Sequence, residues 1–273
     1  MKTYFPSDNK NLENITHLCV AAHQDDIEIM AFAPIAECYG SNDKNFAGVV
    51  VTDGAGSPRT GEFADFTDEQ MKEIRILEQQ KAADIGKYQA AIQLEFPSKA
   101  VKNPENDEPV KAIYDLLMEI KPKYLFTHNI ADKHETHVAV ALRTIEAVKR
   151  MPKELRPEKF TALEVWRALD WLPDDDKVCL DTAPYPEVAR ELLTVHRSQV
   201  AGGKRYDNAA IGRRFANATF FASHDTDDFT SMNFGLDLMP LVESGKTPKD
   251  FINSYIDKFR NEVDTVLERL CGE

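Results

Sequence analysis

The stretch Ala21-Ala22-His23-Gln24-Asp25-Asp26-Ile27-Glu28 decides how this sequence is read. An apolar run over residues 18–22 leads into it, and an apolar, alanine-containing run over residues 27–39 leads away. A buried strand therefore ends here, polar residues of metal-binding or proton-carrying type follow at once, and a helix begins. In an open parallel sheet, ligands gather outside the carboxyl ends of the strands. His23 and Asp26, three apart across such a turn, could face one cation and leave Asp25 free beside them. The alternative is a polar turn in which Asp25 or Asp26 merely caps the next helix. The choice rests on what the rest of the chain brings to the same edge.

Residues 46–51 read as a second strand, apolar on both faces as in parallel sheets. The loop 52–61 that follows has three glycines but neither the G-x-G-x-x-G spacing nor a G-K-[ST] ending, so it is no phosphate cradle. Residues 69–86 have helical spacing, with Met71, Ile74, Leu77, Ala82 and Ile85 on the apolar face and Gly86 as the stop. Arg75 and Glu78, three apart on it, can pair, and the plain reading is a surface ion pair. A third strand is expected at 90–94, a turn-rich loop at 104–109 and a helix at 110–120. The fourth strand, 124–127, runs straight into His128-Asn129-Ile130-Ala131-Asp132-Lys133-His134-Glu135-Thr136-His137. Asp132-x-x-Glu135 has the form of a capping box, predicting a helix from Asp132 to about Arg150 with His134 and His137 on one face. Strands alternating with helices over 15–150 predict a Rossmann-like, doubly wound, mainly parallel α/β sheet. Right-handed crossovers then put the loops after strands one, two and four at one sheet edge, where His23, Asp26 and His137 could meet.

Beyond residue 160 the pattern is weaker. Strands are expected at 161–169 and 177–181, a helix at 185–196, and a loop from Gly202 to Arg214. Residues 219–222 could be a strand or part of a buried helix. Thr247-Pro248 begins a terminal helix with an apolar stripe of Ile252, Tyr255, Ile256, Phe259, Val263, Val266, Leu267 and Leu270. The stripe reads as core packing or as an interface between copies, making the chain a candidate homo-oligomer. Residues 1–273 are expected to form one domain, with a core at about 15–160. Residues 161–273 form an extension that shapes the substrate pocket, with Trp166, Arg167, Trp171 and the 226–234 loop near it.

With 273 residues the chain can bury a substantial core. A net charge of −13 opposes binding to nucleic acid or an anionic membrane; a small polar substrate fits better. The four cysteines (Cys19, Cys38, Cys179, Cys271) form no C-x-x-C pair, which predicts mostly buried, reduced thiols. No run is long and apolar enough to span a bilayer. The start lacks the basic-then-apolar order of a secretory signal, so a cytoplasmic location is expected.

Two neutral imidazoles and one carboxylate with an open fourth position match a catalytic zinc site; another divalent metal such as Fe2+ is compatible. A metal so held activates a water, and Asp25 is the natural general base. His134, one turn before His137, could stabilise an oxyanion or protonate a leaving amine. Amide hydrolysis is the reaction class that follows. Rivals are a metal-dependent phosphoesterase, which would want a second metal or an arginine clamp, and a glycosidase with paired carboxylates, which would leave both histidines idle. A catalytically silent sugar- or metal-binding module would have no need of Asp25. His17 and His224 read as structural. His128 is either structural or close to the site, and His196 reads as stabilising a helix end.

These residues meet a known pattern. Ala22-His23-Gln24-Asp25-Asp26-Ile27-Glu28 resembles the A-H-P-D-D-x-E signature of the PIG-L/LmbE-like deacetylases, and His128-x-x-x-Asp132-x-His134-x-x-His137 resembles their second motif. Arg75-Ile76-Leu77-Glu78 looks like the family's R-x-x-E helix, and His196-Arg197-Ser198-Gln199 like its H-x-S-Q segment. The resemblance implies a Rossmann-like fold and zinc-dependent removal of acetyl from an N-acetylated amino sugar, such as an N-acetylglucosamine conjugate. It implies His23, Asp26 and His137 as ligands, Asp25 as base, His134 as oxyanion partner or acid, and Arg75 as a sugar contact. Three positions depart from the pattern: Gln24 for proline, Ser98 where many members have aspartate, and Thr136 for the aspartate before the last ligand. Threonine supplies no charge to the neighbouring histidine, so His134 should be less basic here.

Overall fold

In the structure, a computed structural model, residues 1–272 other than Gly202 and Lys204 are described. In chain order the elements are β1 (Lys2–Tyr4), β2 (His17–Ala21), α1 (Asp26–Met30), α2 (Phe32–Cys38), β3 (Phe46–Thr52), α3 (Asp68–Gly86), β4 (Ala90–Phe96), α4 (Ser98–Lys102) and α5 (Glu108–Ile120). They continue as β5 (Tyr124–His128), α6 (Glu135–Arg150), β6 (Lys159–Leu163), β7 (Val178–Asp181), α7 (Pro186–Thr194), α8 (Arg197–Val200), α9 (Tyr206–Phe220), β8 (Met232–Asp237), α10 (Met239–Glu243) and α11 (Pro248–Cys271).

The eight strands form one sheet in the order β1-β4-β3-β2-β5-β6-β8-β7. The central five, β4-β3-β2-β5-β6, are parallel, and both flanks are antiparallel. After β2 the chain builds outward on one side through β3 and β4, then returns to build on the other through β5 and β6. The order therefore reverses at β2, and the crevice between the ends of β2 and β5 is the switch point where such sheets bind ligands. Each of β2 and β3 is buried along its full length, which explains why their sequences are apolar at successive positions rather than alternating.

Several expected elements differ, each for a physical reason. The run 27–39 is two helices broken at Ala31, because Pro34 has no N–H to donate to the Met30 carbonyl. Helix α3 carries a capping box made by Thr67 and Gln70. Its C-terminal left-handed residue is Lys87 rather than Gly86, which instead gives room to Tyr88: a Cβ at 86 would lie 2.3 Å from the Tyr88 ring. Leu77 faces solvent, whereas Arg75, Glu78 and Gln79 lie on the buried face. Helix α6 starts at Glu135 and not at Asp132; Asp132 accepts from the Lys133 and His134 amides but does not cap the helix. The strand expected at 161–169 ends at Leu163. Within the expected 202–214 loop, Gly202 lies outside the described residues, and residues 206–214 are helical as part of α9. Residues 219–222 fall at the end of α9, with Phe220 82% exposed. Part of the expected 226–234 loop is the buried strand β8. Cys19 and Cys38 are buried, Cys179 is half-buried and Cys271 is exposed; none is in a disulfide. Among the described residues no helix is long and apolar enough to cross a membrane.

Candidate metal centre and its cleft

Three side chains converge at the switch point. Strand β2 ends at Ala21, and the turn to α1 carries His23 and Asp26; His137 lies in the first turn of α6, after β5. Asp26 Oδ2 is 3.1 Å from His23 Nδ1 and 3.3 Å from His137 Nε2, and the two ring nitrogens are 3.3 Å apart. A tetrahedral cation with bonds of ~2.0–2.1 Å needs ligand atoms about 3.3 Å from one another, so this triangle fits one. The other ring nitrogen of His137, Nδ1, faces Asp132 Oδ2 at 3.3 Å. A carboxylate there fixes the ring and leaves Nε2 free for a metal. Asp132 is itself held by the Trp166 amide at 3.1 Å. Its spacing suggests a helix cap, and only its place between the two histidines hints at this second task.

The electrostatics have the same focus. Burial favours neutral His137, but Asp26 and Asp132 outweigh it and raise its pKa to about 10. Burial would raise the Asp26 carboxyl, yet His137 and His128 hold it well below the usual carboxylate range. Without a cation, a proton on His137 neutralises the cluster, and a metal would displace it. His128 also lies near, 3.5 Å from Asp26 Oδ2, and with Asp26 and His137 makes a second possible trio. Its Nε2, however, accepts a 2.8 Å hydrogen bond from the Ala22 amide, which occupies that lone pair. His128 stacks on His137 with ring centroids 4.1 Å apart and supports that ring from behind.

Asp25 stands beside the triangle at φ +102°, a conformation that side-chain-bearing residues rarely adopt. Burial raises its carboxyl pKa, Arg75 opposing and Asp26 adding to the rise. Arg75 Nη2 lies 3.4 Å from Asp25 Oδ1 and also donates to the Gln24 carbonyl, while Nε donates to Gln24 Oε1 at 3.3 Å. Arg75 is 1% exposed and does not pair with Glu78. Glu78 instead accepts from the Ser198 amide and hydroxyl at 2.7 and 2.6 Å. Gln24 extends the support by donating to Gln93 Oε1 at 3.0 Å.

Glu28, fully buried, accepts from Gln79 Nε2 (2.8 Å), the Tyr88 hydroxyl (2.7 Å) and His196 Nε2 (2.9 Å). His196 is thus not a surface helix cap but a buried link between α8 and the site's helix. His17 pairs with Glu37 away from the cluster. His134, half-buried, sits with its ring centroid 5.1 Å from His23 and 4.4 Å from His137. Burial lowers its pKa, and the neighbouring His137 and His23 lower it further. Its Nδ1 has no hydrogen-bond partner among the described residues.

A cleft of about 650 Å³ opens over these groups, lined by His23, Asp25, Asp26, His134, Thr136 and His137 at its base. That volume suits a small ligand with its substituents. Ser98 and Arg75 border it, and its outer wall comes from Trp166 and from Arg205, Tyr206 and Arg213 of the α9 region. Of the distal residues expected near the pocket, only Trp166 lines it. The α9 wall is not foreseen from the sequence, because its polar residues resemble a loop.

The protein has an α/β fold with a His/Asp cluster at its switch point. Residues 18–148 match the family described as PIG-L: GlcNAc-PI de-N-acetylase. The fold is shared with an N,N'-diacetylchitobiose deacetylase from Pyrococcus horikoshii at 15% identity, covering 90% of this chain and 92% of that one, with a TM-score of 0.67. A conserved protein of Thermus thermophilus matches at 18% identity, over 86% of this chain and 98% of its own, with a TM-score of 0.65. The 4-carboxy-2-hydroxymuconate hydratase GalB of Pseudomonas putida matches at 16% identity, over 85% of this chain and all of its own, with a TM-score of 0.63. No curated protein matches the chain. A deacetylase and a hydratase share this backbone, so the fold alone does not select the reaction.

Proposed function

We propose that the protein is a metal-dependent hydrolase that removes acetyl from an N-acetylated amino sugar or its conjugate. The observation carrying this reading is the triangle of His23, Asp26 and His137 with a buried carboxylate, Asp25, directly beside it over a ligand-sized cleft. The family match supports the deacetylase type. A divalent cation, zinc in the first instance, supplies the charge that acidifies a water and polarises a carbonyl. Asp25 accepts the proton of the attacking water, and its burial suits a base that must work near neutrality. His134 donates to the oxyanion and then to the departing amine; its place at the cleft base beside His23 supports this assignment. Arg75 first orients Asp25; it borders the cleft, and its buried Nη1, without a partner among the described residues, is the atom a sugar hydroxyl would have to approach. Residues 161–273 contribute the outer wall through Trp166, Tyr206 and Arg213, consistent with their setting substrate choice within one domain.

The test is a screen of N-acetylglucosamine, its glycosides and other acetylated amino sugars with purified protein. Acetate and free amine are expected in equal amounts from at least one of them. Release of neither from any acetylated sugar, by protein carrying a full complement of metal, would refute the proposal.

A further inference from the structure

The terminal helix α11 divides into two halves. Its first two turns dock on the body: Thr247 caps the helix, Phe251 is 3% exposed, and Ile252 and Tyr255 pack against the core. Lys258 then pairs with Asp176 at 2.7 Å. From Ile256 to the end of the helix every residue is exposed, over ~24 Å at 1.5 Å per residue, with Phe259 and Glu262 still bordering a pocket beside the 170–177 loop and the part beyond Glu262 projecting. Such a projecting segment should be polar all round if it met only water. Instead it carries Ile256, Phe259, Val263, Val266 and Leu270, spaced three, four, three and four, with Leu267 alongside. These side chains are 38–73% exposed. A strict 3-4 repeat on a solvent-facing helix is the seam of a two-helix coiled coil, not the broader stripe of a core helix.

We infer that this seam is the interface of a homodimer, in which α11 of a second copy packs antiparallel along residues 256–270. Charge complementarity fixes the partner and its direction. In the register that sets Val263 against the partner's Val266 and Phe259 against its Leu270, Glu262 of each copy lies beside Arg269 of the other. Neither residue forms an ion pair within the protomer among the described residues. A parallel pair would place Glu262 against Leu267 and leave both charges unmatched. The area is at the small end: the seam residues, 38–73% exposed, present on the order of 500 Å² per copy, so a pair buries at most about 1,000 Å², the size of a weak, reversible interface. A membrane surface is a poorer occupant. The polar face carries Asp257, Glu262, Asp264 and Glu268 against Lys258, Arg260 and Arg269, and the whole chain has a net charge of −13.

Sedimentation equilibrium of the full chain at about 1–50 μM tests the inference. The expected result is a dimer, and Val263→Glu with Val266→Glu should weaken it at least ~100-fold while leaving the circular dichroism of the protomer unchanged. Direction is read by oxidative cross-linking in a Cys271→Ser background. Phe259→Cys with Leu270→Cys should give a covalent dimer, and Leu270→Cys alone should not. A wild-type monomer at 50 μM, a dimer indifferent to the two glutamates, capture by anionic vesicles instead of self-association, or efficient cross-linking by Leu270→Cys alone would each overturn it.

Discussion

At Asp25 a carboxylate is held in an uncommon backbone conformation, over a buried arginine and next to a candidate metal ligand. Replacement by asparagine keeps the shape and removes only the base, so Asp25→Asn should retain metal while kcat falls roughly 10²–10⁴-fold; metal analysis and acetate release read the two parts separately. Arg75 lowers the Asp25 pKa, so Arg75→Met should raise it further. A base must be deprotonated to act, so the acid limb of the kcat/KM profile should move to higher pH in Arg75→Met. Thr136 bears on the acid instead of the base. Introducing a carboxylate there should raise the His134 pKa, and an acid works only while protonated. Thr136→Asp should therefore carry activity to higher pH, leaving the wild-type optimum the lower of the two, and superimposable profiles would remove that idea. The three residues of the triangle were legible as a cluster because histidine and aspartate have few reasons to recur at one sheet edge. Asp132, Gln24 and Glu28 were harder to find: a supporting residue looks like any polar side chain until its partner, remote in sequence, is in place.

Helix α3 shows why element-level reading goes astray beside a site. Its sequence pattern put Leu77 inside and Arg75 and Glu78 on the surface, but the helix covers the site and turns its polar side inward. The strands of the parallel core were legible, since burial on both faces leaves a continuous apolar signature. The α9 segment was not, because a helix that lines a wet cleft lacks a strong apolar face. Glu28 ties α3, the α3–β4 connection and the residue that precedes α8 to α1 through Gln79, Tyr88 and His196. Burial pulls the His196 pKa down, but Glu28 outweighs it and the net shift is upward. A histidine whose folded pKa is raised stabilises the fold fully below its unfolded value of ~6.5 and loses that contribution as pH climbs through the folded value. Glu28→Gln should accordingly be less stable than wild type at every pH, by about 1–3 kcal/mol from its other buried bonds. The gap should be widest below pH ~6.5 and narrow on the alkaline side, as read by denaturant melts at several pH values.

Across the whole molecule, the reversal of strand order at β2 brings the β2–α1 turn and the start of α6 together, and the cleft opens there. That junction could be expected from the alternation of strands and helices alone. The β8-β7 flank, the α9 wall and the free half of α11 could not, because they depend on how the last hundred or so residues fold back, and the β1 flank is three residues of a polar leader with no strand pattern of its own. A proton on His137 and a cation compete for the same position, so metal loading should release protons and raise the thermal midpoint, an effect lost in His137→Ala. The most direct test of the central claim combines metal content with turnover on one acetylated amino sugar. The expected result is about one tightly bound divalent metal per chain, acetate release abolished by chelation and restored by adding the metal back, and full metal with turnover reduced roughly 10²–10⁴-fold in Asp25→Asn. Acetate release that survives complete removal of metal, or a metal that Asp26→Ala and His137→Ala leave in place, would contradict it.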